Sequence, residues 1–117
     1  MTEKGIIDYC LSLEGAFKDY PFGDSPLVMK VSIKNKLKMF CPIYEKTKPL
    51  HILLKCDPEE AFILRQVFKS IKPGYHCNKE HWNSVYIDGS IPDNEIKRMI
   101  YNSYLLVSNR KKEIIRF

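Results

Sequence analysis

Residues 27–43 read LVMKVSIKNKLKMFCPI, and this stretch decides the fold class. Leu27, Met29, Val31 and Ile33 alternate with Val28, Lys30 and Ser32. Lys34-Asn35-Lys36 supplies a polar turn, after which Leu37, Met39, Cys41 and Ile43 alternate with Lys38 and Phe40. A period of two places successive side chains on opposite faces of a strand, so the stretch predicts a β-hairpin with one apolar face. Beyond the hairpin, Leu50, Ile52 and Leu54 alternate with His51, Leu53 and Lys55 in a third strand, and Trp82 to Ile87 alternates as a fourth. Before it, Ile6, Ile7, Cys10 and Leu13 recur at helical spacing from Glu3 to about Glu14, with Gly15 as a stop. Residues 20–26, YPFGDSP, read as an ordered loop anchored by Tyr20 and Phe22. Asp57-Pro58-Glu59-Glu60 is a helix start, since Asp caps free amides, Pro fits the first turn and both Glu complement the positive helix end. That helix is expected to carry Ala61, Leu64, Val67, Phe68 and Ile71 on one face and to stop near Lys72-Pro73-Gly74. Pro92 opens a last helix bearing Ile96, Met99, Ile100, Ser103 and Val107. The order αβββαβα predicts one α+β domain over residues 1–117. It is expected as a two-layer sandwich with helices on one face of a mainly antiparallel four-stranded sheet.

Composition sets outer bounds. The 117 residues are 44% hydrophobic and 28% charged, enough for one core, and no segment reaches the ~20 apolar residues of a membrane span. The start, MTEKG, lacks a secretory apolar run, and Cys10, Cys41, Cys56 and Cys77 are dispersed with no CxxC pair. Reduced thiols and a cytoplasmic location are therefore expected, with no cofactor. The net charge is +5, and its distribution matters more than its total. Lys30, Lys34, Lys36, Lys38, Lys46, Lys48 and Lys55 face only one acid, Glu45, between Met29 and Lys55. Arg110, Lys111, Lys112 and Arg116 form a second run in a basic tail at about 109–117, which reads as solvated.

If the apolar set of each strand is buried, the other set points outward: Lys30, Ser32, Lys36, Lys38, Phe40, His51, Lys55, Trp82, Ser84 and Tyr86. A face that mixes ammonium groups and rings suits nucleic acid, because lysines displace counterions from phosphates and exposed rings stack on bases. The same lysines also serve simply to solvate a sheet and guard its edges, with the rings lying under loops.

The chain resembles the MmcQ/YjbR family of small bacterial domains. The resemblance rests on Tyr20-Pro-Phe-Gly23, Met29-Lys-Val31, Leu54-Lys55 before the helix with Pro58 and Leu64-Arg65, Pro73-Gly-Tyr-His76, Asn78-Lys79, His81-Trp82, Ile87-Asp88-Gly89 and Ser103-Tyr-Leu-Leu-Val107. It departs at Cys77, where the family usually carries Met. The resemblance implies a CyaY-like (frataxin-like) fold and DNA binding through a "double wing" of strands and loops. Carried over residue by residue, it makes the Pro73–Trp82 segment the functional loop. Lys79 would meet phosphate, His76, Asn78 and His81 would donate to phosphates or bases, and Tyr75 or Trp82 would stack. The alternative for this loop is structural, with Tyr75 and Trp82 on the core and His76 and Asn78 capping backbone groups.

Catalysis and metal binding are not expected. His76, Cys77 and His81 lack a fourth ligand at zinc-site spacing, frataxin-like iron binding would need an acidic surface, and no phosphate-binding glycine motif, paired carboxylates or complete nucleophile set occurs. The expected function is binding of nucleic acid, DNA in particular, by Lys30, Lys36, Lys38 and Lys55 with the 73–82 loop. The alternative is a protein-interaction or adaptor domain that offers the same face to an acidic partner.

Overall fold

The computed structural model describes residues 1–117. Helix α1 (Glu3–Leu11) starts under the Thr2 side chain, which accepts from the Gly5 amide, and buries Ile6 and Cys10 one turn apart. It ends three residues short of the expected Glu14, where the Ser12 hydroxyl returns to the Tyr9 carbonyl and the chain turns through Gly15 at φ +77°. A strand absent from the sequence expectation follows, β1 (Ala16–Asp19). The hairpin is present as β2 (Leu27–Ile33) and β3 (Lys36–Tyr44), followed by β4 (His51–Lys55). Its turn is two residues, Lys34 and Asn35, both left-handed (φ 48° and 66°), the twist that matches antiparallel strands.

Helix α2 (Pro58–Val67) begins as expected with Asp57 as cap and Pro58 in its first turn. It stops at Val67, because Phe68 turns to extended backbone and Ile71–Pro73 become β5, pairing with β6 (Trp82–Tyr86). Pro73 is tolerated there because β5 is an edge strand. Ile71 is therefore buried by the sheet rather than by the helix, and Val67 lies in solvent. Helix α3 (Asp93–Val107) carries the expected Ile96, Met99, Ile100, Ser103 and Val107 inward.

The sheet has six antiparallel strands in the order β1-β2-β3-β4-β6-β5. The expected four-stranded sheet is thus a six-stranded one, with an extra strand at each edge. The fold class, α+β, stands. All three helices share a single core with one sheet face, centred on Met29, Ile43, Ile52, Val85, Leu64 and Ile100.

The hairpin contains a bulge that rewrites the faces. Met29 pairs with Cys41, but Lys30 pairs with Met39, so Phe40 is an extra residue in β3. Such an insertion flips every side chain on one side of it. Phe40, expected outward, is 0% exposed and packs edge-on against Tyr104 at 5.4 Å. Leu37, expected inward, is 60% exposed. Lys38 pairs with the core residue Val31 and so shares the helix side of the sheet, whereas Lys30 stays on the far side. Tyr20 and Phe22 are exposed rather than anchors.

Candidate functional site

The far face of the sheet is a packed aromatic cluster. The His51 ring lies between Tyr44 (4.5 Å, parallel) and Tyr86 (4.7 Å), and Tyr75 meets Tyr44 and His51 edge-on. His51 is 2% exposed, and its Nδ1 stands 2.9 Å from the Thr47 hydroxyl, which is also within bonding distance of the Tyr44 and Pro49 carbonyls. When Thr47 gives its single proton to a carbonyl, Nδ1 must carry the hydrogen, which leaves Nε2 as a bare acceptor. Nε2 has no partner, and burial pushes the ring's pKa down, so His51 is neutral. Of this cluster only Tyr75 is well exposed.

The connection from Pro73 to Trp82 crosses the same face and largely satisfies itself. The Gly74 amide donates to the Trp82 carbonyl at 2.8 Å, and the Tyr75 amide donates to the Ser84 hydroxyl. A Cβ on Gly74 would sit 2.7 Å from Trp82 Cβ, so only glycine fits. The Asn78 carbonyl accepts from the His81 and Trp82 amides, and its side chain accepts from Glu80. The Lys79 ammonium donates to the Gly74 carbonyl at 3.0 Å. Arg65 of α2 reaches over, donating to the Asn83 side chain at 2.7 Å and to the Lys79 and Trp82 carbonyls. Asn78 and Lys79 thus hold the loop together, His76 is exposed at φ 58° with its ring against Tyr75, and Trp82 is half-buried. Lys30 is engaged by Asp19 at 2.9 Å, and Lys36 lies free on the hairpin tip.

Part of the expected basic set converges elsewhere. Lys38, Lys55 and His81 line a cavity of about 490 Å³ at the C-terminal end of α3, together with Lys111 and Arg116. Four permanent cations and the single carboxylate of Asp57 leave this lining with a net charge of +3. Arg116 holds Asp57 at 2.8 Å and, by hydrogen bond and charge, keeps that carboxyl below its usual range. Cations here also complement the negative end of α3, which has no basic residue in its own last turn. Cys56 also lines the cleft, and burial next to Glu60 and Asp57 pushes its thiol up to about 12, which favours the protonated form. No group of three His, Cys, Asp or Glu side chains is placed to hold a metal ion.

The cleft exists because the last segment is docked rather than solvated. After a 3-10 turn at Lys111–Glu113, the Ile115 backbone is gripped by both ends of the Asn102 amide, at 2.7 and 3.1 Å. Arg98, itself paired with Glu60 and Glu95, donates to the Ile115 carbonyl and lies 5.5 Å from the Phe117 ring centre. Phe117 packs edge-on against Phe68. The sequence reading missed this, although Ile114, Ile115 and Phe117 among the bases were a signal, since a solvated tail has no need of apolar residues.

The fold and cleft define a small α+β domain built on a six-stranded antiparallel sheet, with a basic cavity. The YjbR family model matches residues 11–106, and the chain belongs to the YjbR family. It is 30% identical to the uncharacterized protein YjbR of Escherichia coli K12 over 121 residues, covering 99% of both chains. It is 37% identical to the uncharacterized protein YbdF of Escherichia coli O157:H7 over 83% of this chain and 78% of that one. Among solved structures it is similar to a Deinococcus radiodurans protein of domain family DUF419, with a TM-score of 0.85 and 36% identity over 97% of this chain and 87% of that one. A Pseudomonas syringae protein superimposes with a TM-score of 0.76 and 28% identity over 91% and 98%. No helix of the chain is long and apolar enough to cross a membrane.

Proposed function

We propose that this YjbR-family chain is a cytoplasmic nucleic-acid-binding module that takes DNA by its phosphates. The observation that supports the reading is the convergence of Lys38, Lys55, Lys111 and Arg116 on one concave surface whose only carboxylate is already engaged. Lys36 extends the positive surface along the hairpin, and Tyr75, 49% exposed, offers a ring for stacking. Because phosphate contacts carry no base information, binding is of low sequence specificity. Four neutralised phosphates give an affinity that falls with log salt at a slope near −3.6 (about −0.9 × 4), from a dissociation constant of ~10⁻⁴–10⁻⁶ M.

Fluorescence anisotropy of labelled duplex and single-stranded oligonucleotides across a salt series tests it. Salt-steep binding, lost in a folded Lys36→Glu/Lys38→Glu/Lys111→Glu variant, is the expected result. Absence of binding at low salt and high micromolar protein, or binding untouched by the variant, overturns the proposal. The alternative, an adaptor for an acidic protein segment, uses the same cations and gains from the apolar Phe62, Ile63 and Val67 left exposed on α2. Binding of an acidic peptide in preference to oligonucleotides of equal charge would favour it.

A further inference from the structure

We infer that the basic cleft is a pocket for a terminal phosphate, the phosphomonoester of a mononucleotide or of a strand end. The inference rests on the nucleic-acid reading above and narrows what part of the ligand the cleft takes. At about 490 Å³ the cavity falls within the ~300–1,000 Å³ typical of small-ligand sites, whereas a continuous duplex backbone needs an open track. Its donors suit a phosphate. Lys38 and Lys111 bring ammonium groups, Arg116 a guanidinium with donors beyond the one given to Asp57, and Asn109 an amide, from β3, the 3-10 turn, the last segment and the end of α3. A phosphomonoester carries about −1.5 to −2 charges at pH 7, more than the single charge of each internal diester, so a net +3 lining favours the end of a strand over its middle. The walls are set in advance. Asn102 and Arg98 pin the segment that carries Arg116, and Ser108 and Arg110 bond the last carbonyls of α3, so little ordering is left for binding to do.

The test compares a labelled single-stranded oligonucleotide bearing a 5′-phosphate with the same strand bearing a 5′-hydroxyl, using adenosine monophosphate and adenosine as competitors. The phosphorylated strand should bind about tenfold more tightly, as one charge-assisted phosphate contact provides. The nucleotide, and not the nucleoside, should displace it. Lys38→Gln/Lys111→Gln should abolish the preference, while Lys4→Gln on the remote helix α1 should leave it intact. A phosphorylated strand bound more tightly than the free nucleotide would place a strand end in the pocket, and equal affinities would place a mononucleotide there. Equal affinity for both strands, or a preference that survives in the double variant, overturns the inference while leaving general nucleic-acid binding standing. Binding of the nucleotide without binding of any strand does the reverse.

Discussion

Asn102 holds Ile115 by both of its backbone groups. The amide Nδ2 donates to the Ile115 carbonyl at 2.7 Å, and Oδ1 accepts from the Ile115 amide at 3.1 Å, as a neighbouring strand would. Asn102 is buried on α3, so this pair fixes where the segment with Lys111 and Arg116 lies relative to the cleft. Replacing Asn102 with Ala removes both bonds at once. We expect a loss of about 1–3 kcal/mol in chemical denaturation, since two hydrogen bonds of about 0.5–1.5 kcal/mol each are lost. Hydrogen exchange at the Ile115 amide should rise far more than exchange in β2 or β4, and oligonucleotide affinity should fall with it. Unchanged exchange at Ile115 would show that the grip is unimportant.

Where the sequence was informative, it was so through long periodic runs. The β2–β3 hairpin, β4, α3 and the Asp57-Pro58 helix start are each marked by several residues that agree. The two edge strands were invisible because Ala16–Asp19 and Ile71–Pro73 have too few residues to display a period, and Ile71 also fits the helical spacing that precedes it. The bulge was invisible for a different reason. Met39-Phe-Cys-Pro-Ile43 is an unbroken apolar run, so its pattern does not tell which residues face the core or that Phe40 is unpaired. Its position follows from packing against Tyr104 and from the Ser103 hydroxyl, which donates to the Phe40 carbonyl at 2.6 Å. That one residue moved Lys38 to the helix side, and with it the cleft. Of the expected loop residues, Asn78 caps its own connection as the structural alternative described, and Lys79 bonds the Gly74 carbonyl, whereas Tyr75, which that alternative placed on the core, is exposed.

Gly74 passes so close to Trp82 that a methyl group would overlap both its Cβ and its carbonyl oxygen, at 2.7 and 2.8 Å. The obstruction is partly backbone, so it cannot rotate away. Gly74→Ala should therefore destabilise the protein by about 1–3 kcal/mol, as overpacking does, and should loosen the 73–82 connection first. The check is a urea titration paired with limited proteolysis. Cleavage within residues 75–81 should precede global unfolding, and a variant as stable and resistant as the parent would show that the loop shifts freely.

The neutral His51 makes stability depend on pH in a defined direction. Burial among Tyr44, Tyr75 and Tyr86 lowers its folded-state pKa, and no carboxylate stands by to rescue the charged form. The unfolded chain, with the ordinary value of 6.5, binds the proton more readily than the native state does. Stability is therefore full above pH 6.5 and declines as pH falls below it, with a slope of at most about 1.4 kcal/mol per pH unit for one proton. Urea midpoints measured from pH 8 to pH 5 should show this decline, and His51→Phe should flatten it. A decline identical in the variant would assign it to other groups.

Asp57 offers a test in which removing a negative charge improves binding. It is the one carboxylate in the lining of the cleft, and it occupies Arg116 at 2.8 Å while also capping α2. Asn caps a helix as well as Asp, so Asp57→Asn keeps the start of α2 and removes only the charge. The ion pair it breaks is solvent-exposed and contributes little to the fold. The lining then rises by one positive charge, and Arg116 is released toward a ligand. One extra charge about 7 Å from a phosphate in water is worth about a threefold gain in affinity, fading as salt rises. Anisotropy titrations at low and high salt should show that gain, largest at low salt, with the thermal midpoint nearly unchanged. Weaker oligonucleotide binding by a folded Asp57→Asn protein would instead mean that the carboxylate orients Arg116 for the ligand, and an affinity unmoved at low salt would mean that the ligand lies outside the cleft.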